Sequence, residues 1–196
     1  MKLTHRASAI LAAFGLLVVG ALAACPGTAH AATLGNYYEV VNQWSTKCID
    51  VSYGVVTDGA RIQQWTCYHG TPERWRYDYL ESTYVAYSYL NGGNPTRVDW
   101  YNIVNQNSVN QHSPKCLDLP YNNAYPHAQL QQYGCWNGPM QQWGVVQLGN
   151  NWQQIVSRAN PQLCLDDQDW NRDPGANIQL YWCNGYAVQA WQHQPV

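Results

Sequence analysis

The chain has 196 residues, and its 12 acidic residues outnumber its 10 Lys and Arg, which gives a formal net charge of −2. Nucleic-acid phosphates need a basic surface, so this balance argues against a nucleic-acid partner. The chain has one Phe but 10 Trp and 15 Tyr, and rings with polar tips suit half-buried or ligand-facing positions.

Residues 1–31 have the pattern of a secretory signal peptide. A positively charged start precedes an apolar run from Ala9 to Ala24, and the small residues of 29–31 suit cleavage. The run is too short and wrongly flanked for a membrane span. Residues 22–25 also resemble a lipobox, so a surface lipoprotein attached through Cys25 is the alternative to a secreted protein. Both interpretations place the protein outside the cytosol.

The chain after the signal peptide is about 165 residues long, the size of one ordinary domain. Removal of the signal takes two of the 10 basic residues and none of the 12 acidic ones, so eight basic residues remain and the net charge is near −4. We therefore predict a single domain over residues 32–196 and expect it to be monomeric.

Three copies of one motif follow one another along this domain. In each copy a Cys-Ile/Leu-Asp triplet is followed 19 positions after its cysteine by a second cysteine, and a Trp follows 8 positions later. The copies occupy about 33–80, 101–148 and 149–196. Identical spacing in three copies indicates a threefold internal repeat.

The segments within each copy are short and separated by turn residues. Residues 37–42 are β-prone, and Thr57 to Ala60 form a turn signal that recurs at Asp173 to Ala176. The alternating run Ile178 to Tyr181 indicates a hairpin. No segment shows sustained helical periodicity, so the sequence predicts an all-β fold. About twenty extra residues, 81–100, separate the first two copies; we expect a surface hairpin or long loop there, with an added binding surface as the alternative.

Six cysteines belong to the repeat, and an even number in a secreted chain favours disulfides. The threefold repeat favours pairing within each copy. The predicted pairs are Cys48 with Cys67, Cys116 with Cys135, and Cys164 with Cys183. Each would stabilise the fold by roughly 3 kcal/mol. Metal binding is the alternative, but there is no Cys-x-x-Cys pair and the histidines do not recur with the cysteines. We therefore expect no metal and no cofactor.

The three copies resemble the ricin B-type lectin repeat, also classed as family 13 of the carbohydrate-binding modules. The match rests on Cys-Ile/Leu-Asp, on Ile/Leu-Gln-x-Trp/Tyr-x-Cys, and on Gln-x-Trp at 141–143 and 189–191, which becomes Glu73-Arg74-Trp75 in the first copy. The resemblance implies a β-trefoil with pseudo-threefold symmetry, in which strand pairs form a short barrel and a cap. It also implies a lectin that binds galactose-type or xylose-type sugars without catalysis.

Sugar recognition requires a carboxylate that accepts hydrogen bonds from hydroxyl groups and an aromatic ring for the C–H face of the sugar. The resemblance places both in each copy, with a further contact after the second cysteine. The expected carbohydrate-binding residues are Asp50, Trp65 and Tyr68, then Asp118, Tyr133 and Trp136, then Asp166, Tyr181 and Asn184. The alternative role for each Asp is to cap a hairpin turn. Three Asp residues, each opposite an aromatic residue, favour ligand contact.

One position departs from the family pattern. The family has Asn three residues before the closing Trp, where this chain has Pro72, Met140 and Val188. Asn137 and Asn184 are the candidates to compensate. We interpret the recurring Gln and Trp residues as framework, with the Gln near each aromatic residue as a possible support for the Asp.

Two other functions remain alternatives to the secreted lectin. The departure at the Asn position and the Tyr-rich insertion are compatible with a trefoil that binds or inhibits a protein. The acidic run Asp166-Asp167-Gln168-Asp169 raises the possibility of a glycoside hydrolase, which needs two carboxylates. Asp166 already belongs to the repeat and no nucleophile motif is present, so we interpret the run as a solvated acidic hairpin and predict no enzyme activity. A weak Ca²⁺ site there lacks the EF-hand pattern.

Overall fold

The computed structural model describes residues 36–86 and 94–196. The predicted signal peptide, with Cys25, lies outside the described residues. In the described part the chain forms twelve strands. They are β1 (Tyr37–Asn42), β2 (Cys48–Val51), β3 (Ala60–Trp65), β4 (Arg74–Ala86), β5 (Pro95–Asn105), β6 (Lys115–Asp118), β7 (Gln131–Gly134), β8 (Gln142–Gly149), β9 (Trp152–Ser157), β10 (Leu163–Asp167), β11 (Ile178–Trp182) and β12 (Trp191–Pro195).

Six of these strands pair in a closed ring. In ring order they are β1, β4, β5, β8, β9 and β12, and β12 pairs back to β1. The remaining six form three hairpins, β2 with β3, β6 with β7, and β10 with β11. Along the chain, the order of ring strand, hairpin and ring strand therefore occurs three times. Closure of the ring leaves no unpaired sheet edge between its first and last strands.

The fold is all-β, as the sequence predicts. The only α-helix among the residues that the structure describes is α1 (Gln106–Asn110), whose backbone N–H groups at Asn107 and Ser108 donate to the side chain of Asn105. Asn at this position is a favourable helix cap. No helix in the described ranges is long and apolar enough to cross a membrane.

Each hairpin is closed by one disulfide. Cys48 joins Cys67, Cys116 joins Cys135, and Cys164 joins Cys183, with Cα–Cα distances of 5.2, 5.1 and 5.1 Å. These are the pairs that the sequence predicts. The first cysteine of each pair is fully buried, so the bridges also pack against the interior.

The core contains one buried Trp from each copy. Trp75, Trp143 and Trp191 are at most 1% exposed. Their indole Nε1–H groups donate to backbone carbonyl oxygens 2.9, 2.9 and 3.1 Å away, on Ile49, Leu117 and Leu165 respectively. A buried indole needs such an acceptor, because an unpaired N–H in the core is costly. The three Trp residues are therefore framework, as expected.

The insertion lengthens the hairpin of β4 and β5. Its described residues pair from Glu81 with Trp100 to Ala86 with Pro95; the tip, 87–93, lies outside the described residues. The expected surface hairpin is correct only in part. Val98 and Trp100 are 0% and 2% exposed and pack with β8 and β9 residues in a second apolar cluster. The insertion therefore contributes core as well as surface.

Candidate functional site

The nine predicted binding residues lie in three groups, and each group lines one surface pocket. The pockets have volumes of about 440, 380 and 180 Å³ for the first, second and third copies. We call them pockets one, two and three. Pocket one contains Asp50, Trp65 and Tyr68, pocket two contains Asp118, Tyr133 and Trp136, and pocket three contains Asp166, Tyr181 and Asn184.

The hairpin register explains why these residues meet. In the first hairpin Asp50 lies opposite Gln63, and Cys48 lies opposite Trp65. Side chains two apart on a strand share a face, so the carboxylate, the amide and the ring are directed to the same side. The second and third hairpins have the same register at the equivalent positions. One local pattern is therefore built three times.

In pocket one the carboxylate is held from two sides. Gln63 donates its Nε2–H to Asp50 Oδ1 at 2.9 Å, and the Tyr68 hydroxyl donates to Asp50 Oδ2 at 3.2 Å. Asp50 is 3% exposed, whereas Trp65 and Tyr68 are 41% and 50% exposed. The pocket therefore has a fixed acceptor at its base and two rings that can contact a ligand.

Pocket two has the same layout with an indole in place of the phenol. Gln131 Nε2 donates to Asp118 Oδ2 at 2.6 Å, and Trp136 Nε1 donates to Asp118 Oδ1 at 3.4 Å. Tyr133 and Trp136 are 44% and 51% exposed. Asp58, from the first copy, also lines this pocket and forms an ion pair with Lys115 at 2.8 Å.

Pocket three is the smallest and holds its carboxylate with two amides. Gln179 Nε2 lies 2.9 Å from Asp166 Oδ1, and Gln189 Nε2 lies 3.0 Å from Asp166 Oδ2. The ring of His127 packs against Tyr181 at a centroid distance of 5.1 Å. Asn184 lines the pocket, but its Oδ1 accepts the backbone N–H of Tyr186.

Burial is the main influence on the three pocket carboxyl groups. It raises the pKa of Asp50, Asp118 and Asp166 above the ordinary value of 3.8, and the donated amide hydrogen bonds oppose that rise. Each carboxylate oxygen has a second lone pair beyond the bond described. The carboxylates can therefore accept hydroxyl groups of a ligand without losing their support.

Sequence reasoning missed the residue three positions after each pocket Asp. Tyr53, Tyr121 and Asp169 lie in short 3-10 turns at φ of 58, 57 and 59°. All three line the pockets, and the two Tyr side chains are 96% and 98% exposed. The signal in the sequence was a Tyr three residues after the Asp in two of the copies.

Each pocket is completed by a turn from another copy. Gly175 lines pocket one, Gly59 lines pocket two, and His127 lines pocket three. These residues hold equivalent positions, 11 after the first cysteine of their copies, and all have positive φ. The exchange runs in a cycle from copy three to one, one to two, and two to three. His127 is the only side chain that this turn position adds to a pocket.

Two of the residues at the positions that depart from the family pattern, Met140 and Val188, pack into the interior. Val188 is 2% exposed and lines pocket three, and Met140 packs against the main core. Asn137 is not among the residues that line pocket two, and its Oδ1 accepts an amide N–H from Asn102. The groups that line all three pockets are therefore the Asp, its amide partner and an aromatic ring.

The acidic run at 166–169 is not a solvated hairpin. Asp166 and Asp167 are 4% and 0% exposed, and because they are adjacent on β10 they point to opposite faces. Asp169 is exposed and shares pocket three with Asp166. Both oxygens of Asp166 accept amide hydrogen bonds, which is the arrangement of a held acceptor.

Comparison with known proteins identifies the class. Residues 29–109 and 93–181 match the family described as ricin-type beta-trefoil lectin domain-like. Since these ranges span more than half of the chain, the protein belongs to this family of β-trefoil, lectin-type domains. No curated protein matches the chain.

Several solved structures are similar to this chain. The designed threefold-symmetric protein ThreeFoil is 27% identical with a TM-score of 0.68, over 82% of this chain and 99% of ThreeFoil. An exo-beta-1,3-galactanase from Clostridium thermocellum is 26% identical with a TM-score of 0.68; the match covers 82% of this chain but only 30% of the enzyme. The ricin B-like lectin of Macrolepiota procera, solved with lactose, is 18% identical with a TM-score of 0.57, over 82% and 95% of the two chains. This last likeness shows the fold alone.

Proposed function

We propose that this protein is a secreted, non-catalytic lectin that binds galactose-type or xylose-type sugars through up to three shallow pockets. The observation that carries the proposal is the repeated grouping of a buried carboxylate, a cross-strand amide and half-exposed rings in pockets one to three. This grouping supplies acceptors for sugar hydroxyls and a stacking surface for the sugar ring. Membership of a lectin-type family supports carbohydrate binding in general.

The domain organisation follows the same proposal. We infer a signal peptide at 1–31 and one trefoil domain at 32–196, with the copies at about 33–80, 101–148 and 149–196 related by a pseudo-threefold axis. The cyclic exchange of turn residues between pockets supports such an axis. Disulfides are consistent with an extracellular location. Attachment through Cys25 remains the alternative to release, and a monomer is the proposed state.

Loss of the pocket carboxylates tests the sites. A hydrogen bond to a charged group contributes about 1.5–3 kcal/mol. Asp118→Ala should therefore lower the sugar affinity of pocket two about tenfold or more. Retention on galactan or xylan should fall stepwise as Asp50, Asp118 and Asp166 are replaced by Ala in turn, because fixed pockets act by avidity. Affinity electrophoresis measures this retention.

The control is Asp78→Ala, which removes a partly exposed carboxylate that is paired with Arg76 on β4. It should be retained like the wild type. A triple Ala variant that binds polysaccharide as well as the wild type would contradict the assignment of the sites. Release of reducing sugar from either polysaccharide would show that the protein is a hydrolase instead.

A protein-binding or inhibitor role is the second candidate. The observation that favours it is the lengthened hairpin of β4 and β5, on which Tyr79 and Tyr84 are 59% and 74% exposed. Exposed Tyr side chains are typical of protein interfaces. A glycan array without any signal, combined with capture of one secreted protein through this hairpin, would favour this role over the lectin.

A further inference from the structure

Three residues of the first copy differ in chemistry from their equivalents elsewhere. Glu39 on β1 lies opposite Arg74 on β4, the residue before the closing Trp of its copy. The strand register makes Asn102 and Gln154 the equivalents of Glu39 in the second and third copies. His69 corresponds to Asn137 and Gly185 by its distance from the cysteines, and Glu73 corresponds to Gln141 and Gln189. The second and third copies therefore have amides or glycine where the first has two carboxyl groups and an imidazole.

The neutral equivalents are joined by direct amide–amide hydrogen bonds. Asn102 donates to Asn137 in the second copy, and Gln154 donates to Gln189 in the third. Amides can do this because each has both donors and an acceptor. In the first copy His69 and Glu39 replace the Asn pair. Two carboxylates have only acceptors, so Glu39 and Glu73 cannot repeat the bond between Gln154 and Gln189 without a proton or a cation.

The three groups of the first copy converge. One oxygen of each carboxyl group and one ring nitrogen of His69 lie within 4.8 Å of one another. His69 Nδ1 is 2.8 Å from Glu39 Oε1. Glu39 and Glu73 are 2% and 0% exposed, while the imidazole reaches the surface. A cation could therefore enter from the His69 side and meet two buried carboxylates.

Glu73 is oriented but only half satisfied. Its Oε1 accepts the backbone N–H groups of Tyr68, at 2.8 Å, and of His69. Its buried Oε2 has no hydrogen-bond partner in the part of the chain that the structure describes. A buried carboxyl group stays ionised only with a paired charge or a metal, and fixed second contacts are typical of metal-binding carboxylates.

The positively charged side chain of Arg74 does not supply the missing partner of Glu73 Oε2. The Arg74 guanidinium donates to the backbone oxygen of His69, and among the described residues it forms no ion pair with Glu39 or Glu73. A charged His69 would pair with Glu39 but would leave Glu73 Oε2 without a partner. Both observations leave room for one positive ion shared by the three side chains.

We propose that Glu39, His69 and Glu73 form a binding site for one divalent transition-metal ion, with Zn²⁺ as the best-fitting candidate. Zn²⁺ binds imidazole nitrogen and carboxylate oxygen at about 2.0–2.2 Å, and three such ligands leave a fourth position for water. The three ligand atoms lie within 4.8 Å of one another, whereas tetrahedral bonds of this length place ligand atoms about 3.4 Å apart. The widest separation must therefore close by up to about 1.4 Å, and the exposed His69 ring can move to share in that closure. The sequence-based expectation of no metal rested on cysteine spacing and repeating histidines, and this site uses neither.

Titration with Zn²⁺ alone tests the site. The chelator-treated protein should bind one equivalent in isothermal titration calorimetry, and its Tm should rise with saturating Zn²⁺ because the ion binds only the folded state. Glu73→Gln and His69→Asn should each lower the affinity at least tenfold. Both variants introduce the residue that the second copy has at the equivalent position, Gln141 or Asn137, so both should fold.

The matched control is His112→Asn. His112 is exposed and has φ of 57°, close to the 61° of His69, but it has no carboxyl partner among the contacts described. It should bind Zn²⁺ like the wild type. No binding by the wild type would overturn the proposal. So would equal binding by the wild type and Glu73→Gln, because the ion would then be held by surface histidines.

Discussion

Asp167 is a buried carboxyl group at a position that is apolar in the other two copies. It is 0% exposed, and its equivalents Val51 and Leu119 are 1% and 2% exposed. Neither Asp167 oxygen has a hydrogen-bond partner within the described residues. Burial, with a smaller contribution from the neighbouring Asp166, raises the pKa of Asp167 to about 7. The folded state therefore holds this carboxyl group mainly neutral below neutral pH.

This pKa predicts a pH-dependent cost to stability. Between an unfolded pKa of 3.8 and a folded pKa of about 7, the folded state binds more protons, so stability falls as the pH rises through this window. Asp167→Val should remove this contribution and stabilise the protein above pH 7 by roughly 2–4 kcal/mol. Urea denaturation at pH 5 and pH 8 measures the difference.

The comparison at two pH values separates charge from packing. Val fits an environment that Val51 and Leu119 already occupy in the equivalent positions. The gain should be clearly smaller at pH 5 than at pH 8, because only the part of the cost between pH 3.8 and pH 5 is then present. An Asp167→Val protein that is less stable than the wild type at pH 8 would contradict the account. A gain of equal size at both pH values would show that the carboxylate charge is not the cause.

At the scale of elements, the hairpin of β4 and β5 is fixed by close packing on β8 and β9. A Cβ atom added at Gly144 would lie 2.3 Å from Val98 Cγ1 and 2.7 Å from Val156 Cγ2. Separations this short force neighbouring groups to move. Gly144 is therefore required by the close approach of the insertion to the rest of the sheet.

Gly144→Ala should lower the free energy of unfolding by about 1–3 kcal/mol. Gly134→Ala is the control, because the nearest atom to a Cβ there is Asp58 Oδ1 at 3.8 Å, an ordinary contact. Both residues are in β-strands, so the change in strand propensity is shared. Equal stability of the two variants in urea would contradict the packing described for the hairpin.

At the scale of the whole molecule, the described strands close a ring and the pockets exchange turn residues in a cycle. Both features join positions far apart in the chain, such as Gly175 and pocket one. One hairpin alone would lack the turn that completes its pocket. The three pockets should therefore persist or disappear together with the folded domain.

The sequence predicted what repeats at fixed local spacing. The three disulfides and the approach of Asp118 to Tyr133 follow from positions within one hairpin. For Gln131 the sequence left framework and support of the Asp as alternatives, and in the structure it donates to Asp118. Local patterns are readable because the strand register fixes which side chains share a face.

The remaining features depend on long-range packing. The buried state of Trp100 is set by β8 and β9, which pack against it from a later part of the chain. The entry of His127 into pocket three depends on closure between copies. Tyr53 and Tyr121 reach their pockets through left-handed turn residues, which an ordinary strand-and-turn pattern does not predict.

The proposed lectin function requires sugar to bind at the carboxylate and rings of the pockets. A crystal structure of the protein with a galactose-based or xylose-based oligosaccharide tests this most directly. We expect sugar hydroxyls on the Asp118 Oδ atoms with the sugar ring against Tyr133 or Trp136, and the same arrangement in at least one other pocket. A sugar bound only outside all three pockets would contradict the claim.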